Sequence, residues 1–279
     1  MKNLIARTLS GILFLAVMIG AIIYGGYVFF SLSCVIVGIG TFEFIKMTVS
    51  KATIAQKILS IIMSVVFVFG CWSITTFYFY APVSSFAIVG LSITAIFIIE
   101  LYNKSETPLQ NISSLVLPVL YIAVPFVLMN LFSYQDGDSY SSGKFILAFF
   151  ILIWSNDVGA YCFGCTLGRH GKHKLFERIS PKKSWEGFIG GIITAIIAGV
   201  LCAIFLIEQP IWHWVVIAII ASVFGTLGDL IESMLKRSAG VKDSGNILPG
   251  HGGILDRFDA AIFAFPPVFI YQIITSTLH

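Results

Sequence analysis

Residues 233–259, SMLKRSAGVKDSGNILPGHGGILDRFD, gather Lys236, Arg237, Lys242, Asp243, His251, Asp256, Arg257 and Asp259 into one short segment. The surrounding chain is overwhelmingly apolar, 57% hydrophobic and only 11% charged. Charges are costly beside a bilayer and persist there when they pair or work. The same segment carries Gly240, Gly245, Gly250, Gly252 and Gly253. Cations, carboxylates and glycines that let backbone amides approach a ligand suit a phosphate-rich molecule bound together with a metal ion.

Two more constellations point the same way. Ser155-Asn156-Asp157 precedes the basic stretch 164–187, GCTLGRHGKHKLFERISPKKSWEG. Asp157 lies about two turns before that stretch, and an intramembrane carboxylate is a functional candidate; the bland alternative is an ion pair with a loop lysine. Ser180-Pro181 reads as a helix start, with Ser as N-cap and Pro at the first position. Lys182 and Lys183 would then oppose the helix dipole, which makes sense if an anion sits at that terminus; otherwise the stretch is an ordinary basic loop. The third constellation is Asp229, Ser233 and Arg237 at i, i+4 and i+8, with Glu232 and Lys236 beside them. Such a stripe should face a water-filled cavity or the protein interior. Asp229 and Asp256, on different helices with cations nearby, are the candidate ligands for Mg²⁺ held jointly with a triphosphate. Glu43 and Glu100, at the ends of apolar runs, are expected to snorkel or to pair with a nearby lysine, and His213-Trp214 to lie in an interfacial belt.

The elements that must position these residues are membrane helices. A soluble domain carries roughly 25% charged residues, and no polar stretch here is long enough for one. Apolar runs of about 20 residues span a bilayer. Nine fit: 8–24, 27–46, 58–80, 83–101, 111–133, 143–163, 186–207, 211–231 and 259–277. The first lacks a small-residue cleavage site and reads as a retained span. With the N terminus in the cytoplasm, all but Lys144 of the 17 Lys and Arg fall on the cytoplasmic side, as the positive-inside rule requires. The expected fold is therefore all-α and polytopic, with about nine transmembrane helices. Residues 1–140 form an N-terminal helical part, and 141–279 a catalytic part with cytoplasmic loops 164–187 and 232–258. Cys162-x-x-Cys165 has no second pair to complete a zinc site and reads as two small residues at a helix end. The net charge of +3 says little about partners, and no nucleic acid is expected.

The 233–259 segment resembles the signature of the phosphatidate cytidylyltransferase (CDP-diacylglycerol synthase) family at Ser233, Lys236-Arg237, Lys242-Asp243, Gly245, Leu248-Pro249, His251-Gly252-Gly253, Asp256-Arg257 and Asp259. Asp157 through Tyr161 with Gly164, and Ser180 through Gly187, resemble the family's upstream elements. Residues 1–140 match only as hydrophobic spans. The resemblance implies an Mg²⁺-dependent nucleotidyltransferase of a bacterial inner membrane or a eukaryotic endomembrane, with a second cation left open, that works as a homodimer; the inner (cell) membrane is the expected location. It would convert CTP and phosphatidic acid to CDP-diacylglycerol and pyrophosphate. Asp229, Lys236, Arg237, Lys242, Asp256, Arg257 and Asp259 would be catalytic, with Asp229 and Asp256 holding metal. Asn156, Asp157, Ser180, Lys182, Lys183, Ser233, His251, Gly252 and Gly253 would bind substrates. The alternatives are a sister lipid-phosphate cytidylyltransferase, a polyprenol kinase-like enzyme, or, from another class, a cation-coupled transporter.

Overall fold

The structure is a computed structural model that describes residues 2–49, 52–76, 80–132, 139–168, 173–207, 209–247 and 252–277. It is built from helices α1 (Lys2–Tyr24), α2 (Gly26–Thr48), α3 (Ile54–Thr76), α4 (Tyr80–Tyr102), α5 (Pro108–Pro118), a π turn (Val119–Ala123), α6 (Val124–Phe132) and α7 (Ser139–Thr166). A hairpin follows, β1 (Lys174–Phe176) and β2 (Ser180–Ser184), and then α8 (Trp185–Phe205), α9 (Ile211–Ser238) and α10 (Leu255–Thr277). Among the described residues, eight segments are long and apolar enough to cross a membrane, counting α5 through α6 as one, and a shorter apolar stretch, Ser10–Tyr24, lies in α1. At 1.5 Å per residue, the 23 residues of α1 reach roughly 35 Å. The chain is a multi-pass, all-α membrane protein, and among the described residues its strands are confined to one small hairpin.

Local sequence sets several boundaries. Gly25 and Gly26 adopt φ of 60° and 45°, a left-handed turn that separates α1 from α2 and that side-chain-bearing residues resist. Thr53 and Gln56 cap α3 reciprocally: Gln56 N donates to Thr53 Oγ1 (3.3 Å) and Thr53 N to Gln56 Oε1 (2.9 Å), the capping-box pattern. Pro108 opens α5, where its missing N–H costs nothing.

The chain divides into two compact units, Met1–Gly137 with Asp243–Arg257, and Asp138–Lys242 with Phe258–His279. In the first, Ile45, Val49, Met63, Ile96, Leu115 and Val119 form a buried cluster among α2 to α5 and the π turn. Glu100 is buried there and accepts from Gln56 Nε2 (2.7 Å), Asn111 Nδ2 (2.9 Å) and Asn103 Nδ2 (3.4 Å). Buried, it does not snorkel, and it pairs with no lysine among the described residues. Side-chain amides from α3 and α5 satisfy it, because a carboxylate at that depth needs donors.

In the second unit, glycines bring helices together. An added Cβ on Gly191 of α8 would lie 2.6 Å from Asn156 Oδ1 and 2.9 Å from Asn156 O of α7. Small residues permit such close approach in membrane bundles. Gly191→Ala should lower the thermal midpoint in detergent, since overpacking costs about 1–3 kcal/mol. Gly20→Ala, where nothing lies within 4 Å of the added carbon, should not. Equal midpoints for wild type and Gly191→Ala would show that α7 and α8 have slack there.

Two further expectations need correction. The helix start at Ser180-Pro181 is absent: 180–184 is strand β2, which pairs antiparallel with β1 (Lys174↔Ser184, Phe176↔Ser180). The cap is Ser184, whose Oγ accepts from Gly187 N at 3.2 Å, with Glu186 in the first turn. Lys182 and Lys183 thus precede α8 and do not oppose its dipole. The belt is also misplaced. Trp214 is fully buried, and His213 contacts Gln272 Oε1 (2.7 Å) and Tyr271 Oη (3.1 Å).

Candidate active site

The second unit holds a cavity of about 320 Å³, within the range of small-molecule pockets. Four elements supply most of its lining, which mixes polar and apolar groups. From α7 come Asn156, Asp157 and Tyr161; from β2, Lys182, Lys183 and Ser184; from α8, Gly187 and Phe188; from α9, Thr226 and Asp229. Asn156, Asp157, Lys182, Lys183 and Asp229, taken from two constellations separated by over 40 residues of sequence, therefore line one cavity.

Lys183 Nζ lies 2.6 Å from Asp229 Oδ2, with side-chain exposures of 25% and 40%. It also approaches Thr226 O at 3.5 Å. A pair this open contributes roughly 0–1 kcal/mol, so an incoming phosphate can take Lys183 at small cost. Ser233 Oγ donates to Asp229 Oδ1 at 3.3 Å and steadies the carboxylate from one turn away. Asp259 on α10 lies within electrostatic reach of Asp229 and Asp157, and its Oδ1 accepts from Ala260 N at 2.7 Å. Three carboxylates and two lysines thus share one neighbourhood. Asn156 is buried, and its Oδ1, enclosed against Gly191 of α8, has no hydrogen-bond partner among the described residues.

The stripe on α9 splits in two. Glu232 and Lys236 turn inward, buried and paired at 2.6 Å. Removing one partner of a buried pair costs about 3–5 kcal/mol, so Lys236 is committed to Glu232. Arg237 is exposed and donates to Val241 O at 3.2 Å. Lys242 is exposed. Ser180 lies in β2 and is not among the cavity residues.

The remaining candidates belong to the first unit. Asp256 is in the first turn of α10. Its Oδ2 accepts from Gly253 N (2.8 Å) and Ser244 N (3.0 Å). Gly252, at φ 83°, makes the turn beside this carboxylate. Arg257 is exposed, and His251 falls outside the described residues. Glu43 is buried and tied to this segment by hydrogen bonds from Ile254 N, Leu255 N and Ser244 Oγ. Buried, it does not snorkel, and it pairs with no lysine among the described residues, because the segment's amides and the Ser244 hydroxyl supply its donors.

Sequence reasoning passed over Ser184, Tyr161 and Thr226 as cavity residues. Ser184 carried a signal: a serine followed by an acidic residue in the next turn marks a helix start. Tyr161 lies in the 157–164 stretch that resembles the family's upstream element, and Thr226 carried no signal.

Among the described residues no three His, Cys, Asp or Glu converge on one point as a ready metal cage. The donor set fits Mg²⁺ in another way: this ion is usually held by one or two carboxylates together with substrate phosphates. Asp229, partly exposed on the cavity wall, is a hard oxygen donor of that kind.

A profile of the Cytidylyltransferase family matches residues 5–275. The chain is 34% identical over 269 residues to a phosphatidate cytidylyltransferase of Staphylococcus saprophyticus, covering 93% of this chain and 95% of that protein. It is 35% identical over 268 residues to the protein of that name from Staphylococcus haemolyticus, with the same coverage. For the one from Staphylococcus epidermidis it is 34% over 278 residues, covering 96% and 99%.

Proposed function

Because the chain belongs to the cytidylyltransferase family, we propose that it transfers the cytidylyl group of CTP to phosphatidic acid, giving CDP-diacylglycerol and pyrophosphate. The observation that carries this reading is the convergence of Lys182, Lys183, Asn156, Asp157 and Asp229 on one cavity, in a protein whose helices keep it in a membrane.

The chemistry asks for charge control and positioning. A lipid phosphate oxygen attacks the α-phosphorus of CTP. The new P–O bond forms as the bond to the bridging oxygen of the β-phosphate breaks, and the electron pair leaves with pyrophosphate. The phosphate monoester is already anionic near neutral pH, so no strong general base is required. Holding two anions in line and spreading the developing charge does the work. Lys183 exchanges its contact with Asp229 for a triphosphate oxygen, and Lys182 beside it adds a second cation. Ser233 holds the Asp229 carboxylate in place. Asn156, on the cavity wall beside Asp157, helps shape the nucleotide site. Arg237, Lys242 and Arg257 are exposed cations suited to lipid phosphate or pyrophosphate. When bound, Mg²⁺ would neutralise phosphate charge, with Asp229 as its principal protein ligand in the cavity; for Asp256 a metal role rests on the resemblance to the family signature alone.

The site is proposed to face the cytoplasm, from the distribution of Lys and Arg, and the membrane to be a bacterial inner membrane, from the staphylococcal relatives. One experiment tests reaction and orientation together. Inside-out sealed vesicles containing the protein and phosphatidic acid should incorporate α-labelled CTP into lipid, and right-side-out vesicles should not. Chelation of Mg²⁺ should abolish the labelling. No labelled lipid from either vesicle type would overturn the reaction, and labelling by right-side-out vesicles alone would overturn the orientation. The resemblance extends to a homodimer, which the mass of the detergent-solubilised protein tests.

A further inference from the structure

Glu43 sits in the middle of the TFEF run of α2, 1% exposed. Both carboxylate oxygens accept hydrogen bonds from a segment more than 200 residues away in sequence: Oε1 from Ile254 N (3.1 Å), and Oε2 from Leu255 N (2.9 Å) and Ser244 Oγ (3.3 Å). Ile254 and Leu255 are the residues at which α10 begins. Their amides are among the four that a helix leaves unsatisfied at its N-terminus, and a carboxylate there also meets the positive end of the helix dipole. Glu43 thus caps α10 from another helix, doing what a local Ser or Asp does elsewhere. The segment is shaped to admit it. A Cβ added to Gly245 or to Gly253 would lie 2.7 Å from Glu43 Cδ in each case.

We propose that Glu43 is a positioning residue for the cytidylyl transfer: its carboxylate fixes the 244–256 segment and the first turn of α10, and so sets where Asp256 and Arg257 point. The proposal rests on the reading of the chain as a cytidylyltransferase. Asp256 organises the same segment from within, through Ser244 N and Gly253 N, so two carboxylates share the amides of one short loop. Neutralising Glu43 removes a charged acceptor and leaves an amide NH₂ facing donors. Hydrogen bonds to charged groups are the strong ones, and displacement of a working group by about 1 Å is enough to slow a reaction.

The test uses the purified full chain and its Glu43→Gln variant. Hydrogen exchange of peptides covering 244–256 should accelerate about tenfold or more in the variant, the scale of losing one charged hydrogen bond, while peptides from 211–238 exchange as in wild type. In mixed micelles kcat should fall about tenfold or more, with the KM for CTP unchanged, because the CTP cavity lies among other elements. Glu100→Gln is the control. It removes an equally buried carboxylate satisfied by Gln56, Asn111 and Asn103, and it should leave both the segment's exchange and kcat per folded molecule at wild-type values. If Glu43→Gln does not fold, Gly245→Ala decides, because its methyl group must push the segment off Glu43. It should reproduce the faster exchange and the lower kcat. Wild-type exchange and kcat in folded Glu43→Gln, or in Gly245→Ala where the first does not fold, would overturn the proposal. So would a fall in kcat matched by Glu100→Gln, which would reveal general destabilisation. The exchange arm needs no substrate, so it stands or falls separately from the assignment of the reaction, which wild-type activity decides.

Discussion

Asp229→Asn should lower kcat for CDP-diacylglycerol formation by about 100-fold or more, with the protein still folded. The substitution keeps the shape of the side chain and an acceptor for Ser233 Oγ, and removes the charge. A carboxylate that holds a metal or balances the phosphates contributes several kcal/mol to the transition state, and each 1.4 kcal/mol is roughly a factor of ten in rate. Stability should change little, because the side chain is 40% exposed and its partner Lys183 is itself partly open to solvent. The loss should therefore appear in kcat, with an unchanged thermal midpoint. A folded Asp229→Asn protein with kcat within about threefold of wild type would remove Asp229 from the chemistry and leave it as the structural partner of Lys183.

The second large effect is expected from the paired lysines of β2. Lys182→Gln together with Lys183→Gln should raise the KM for CTP by about 100-fold or more and leave the KM for phosphatidic acid within about twofold. Hydrogen bonds to charged groups are worth about 1.5–3 kcal/mol each, and two of them bracket the triphosphate in the proposed pose. The single variants should differ. Lys182 is exposed at the cavity wall and should affect KM alone. Losing Lys183 also unpairs Asp229, so kcat should fall as well. Initial rates across a CTP titration in mixed micelles measure both. An unchanged KM for CTP in the double variant would return these lysines to the ordinary basic character of a cytoplasmic loop.

Glu43 and Ser184 share a lesson about electrostatics in this fold. Each places an oxygen where a helix N-terminus has unsatisfied amides, one across 200 residues of chain and one locally. Lys182 and Lys183 stay out of that position because the hairpin keeps them in a strand. The cations are thereby free to face a cavity instead of opposing a dipole.

The membrane class, the helical fold and the approximate spans were legible in the sequence, because a bilayer imposes a length and an apolar composition on every crossing segment. Long apolar runs therefore report themselves without knowledge of their neighbours. The family was legible too: the polar positions of 233–259 sit at fixed spacings within a short stretch, and spacing is a property of the chain alone. Helix ends were less so. The charged residues 232–238 continue α9, and Asp256-Arg257 already belong to α10, because hydropathy falls before the helix does. The tertiary structure alone decided which charges meet. Lys236 and Arg237 are neighbours in sequence, yet one is buried against Glu232 and the other faces solvent, since 100° of helical rotation separates them. Lys183 finds Asp229 from 46 residues away, and Glu43 finds the amides of Ile254 and Leu255 from the far end of the chain. No local pattern encodes such pairings. They follow from the requirement that every buried charge and every exposed helix amide find a partner, and only the packed helices determine which partner is within reach.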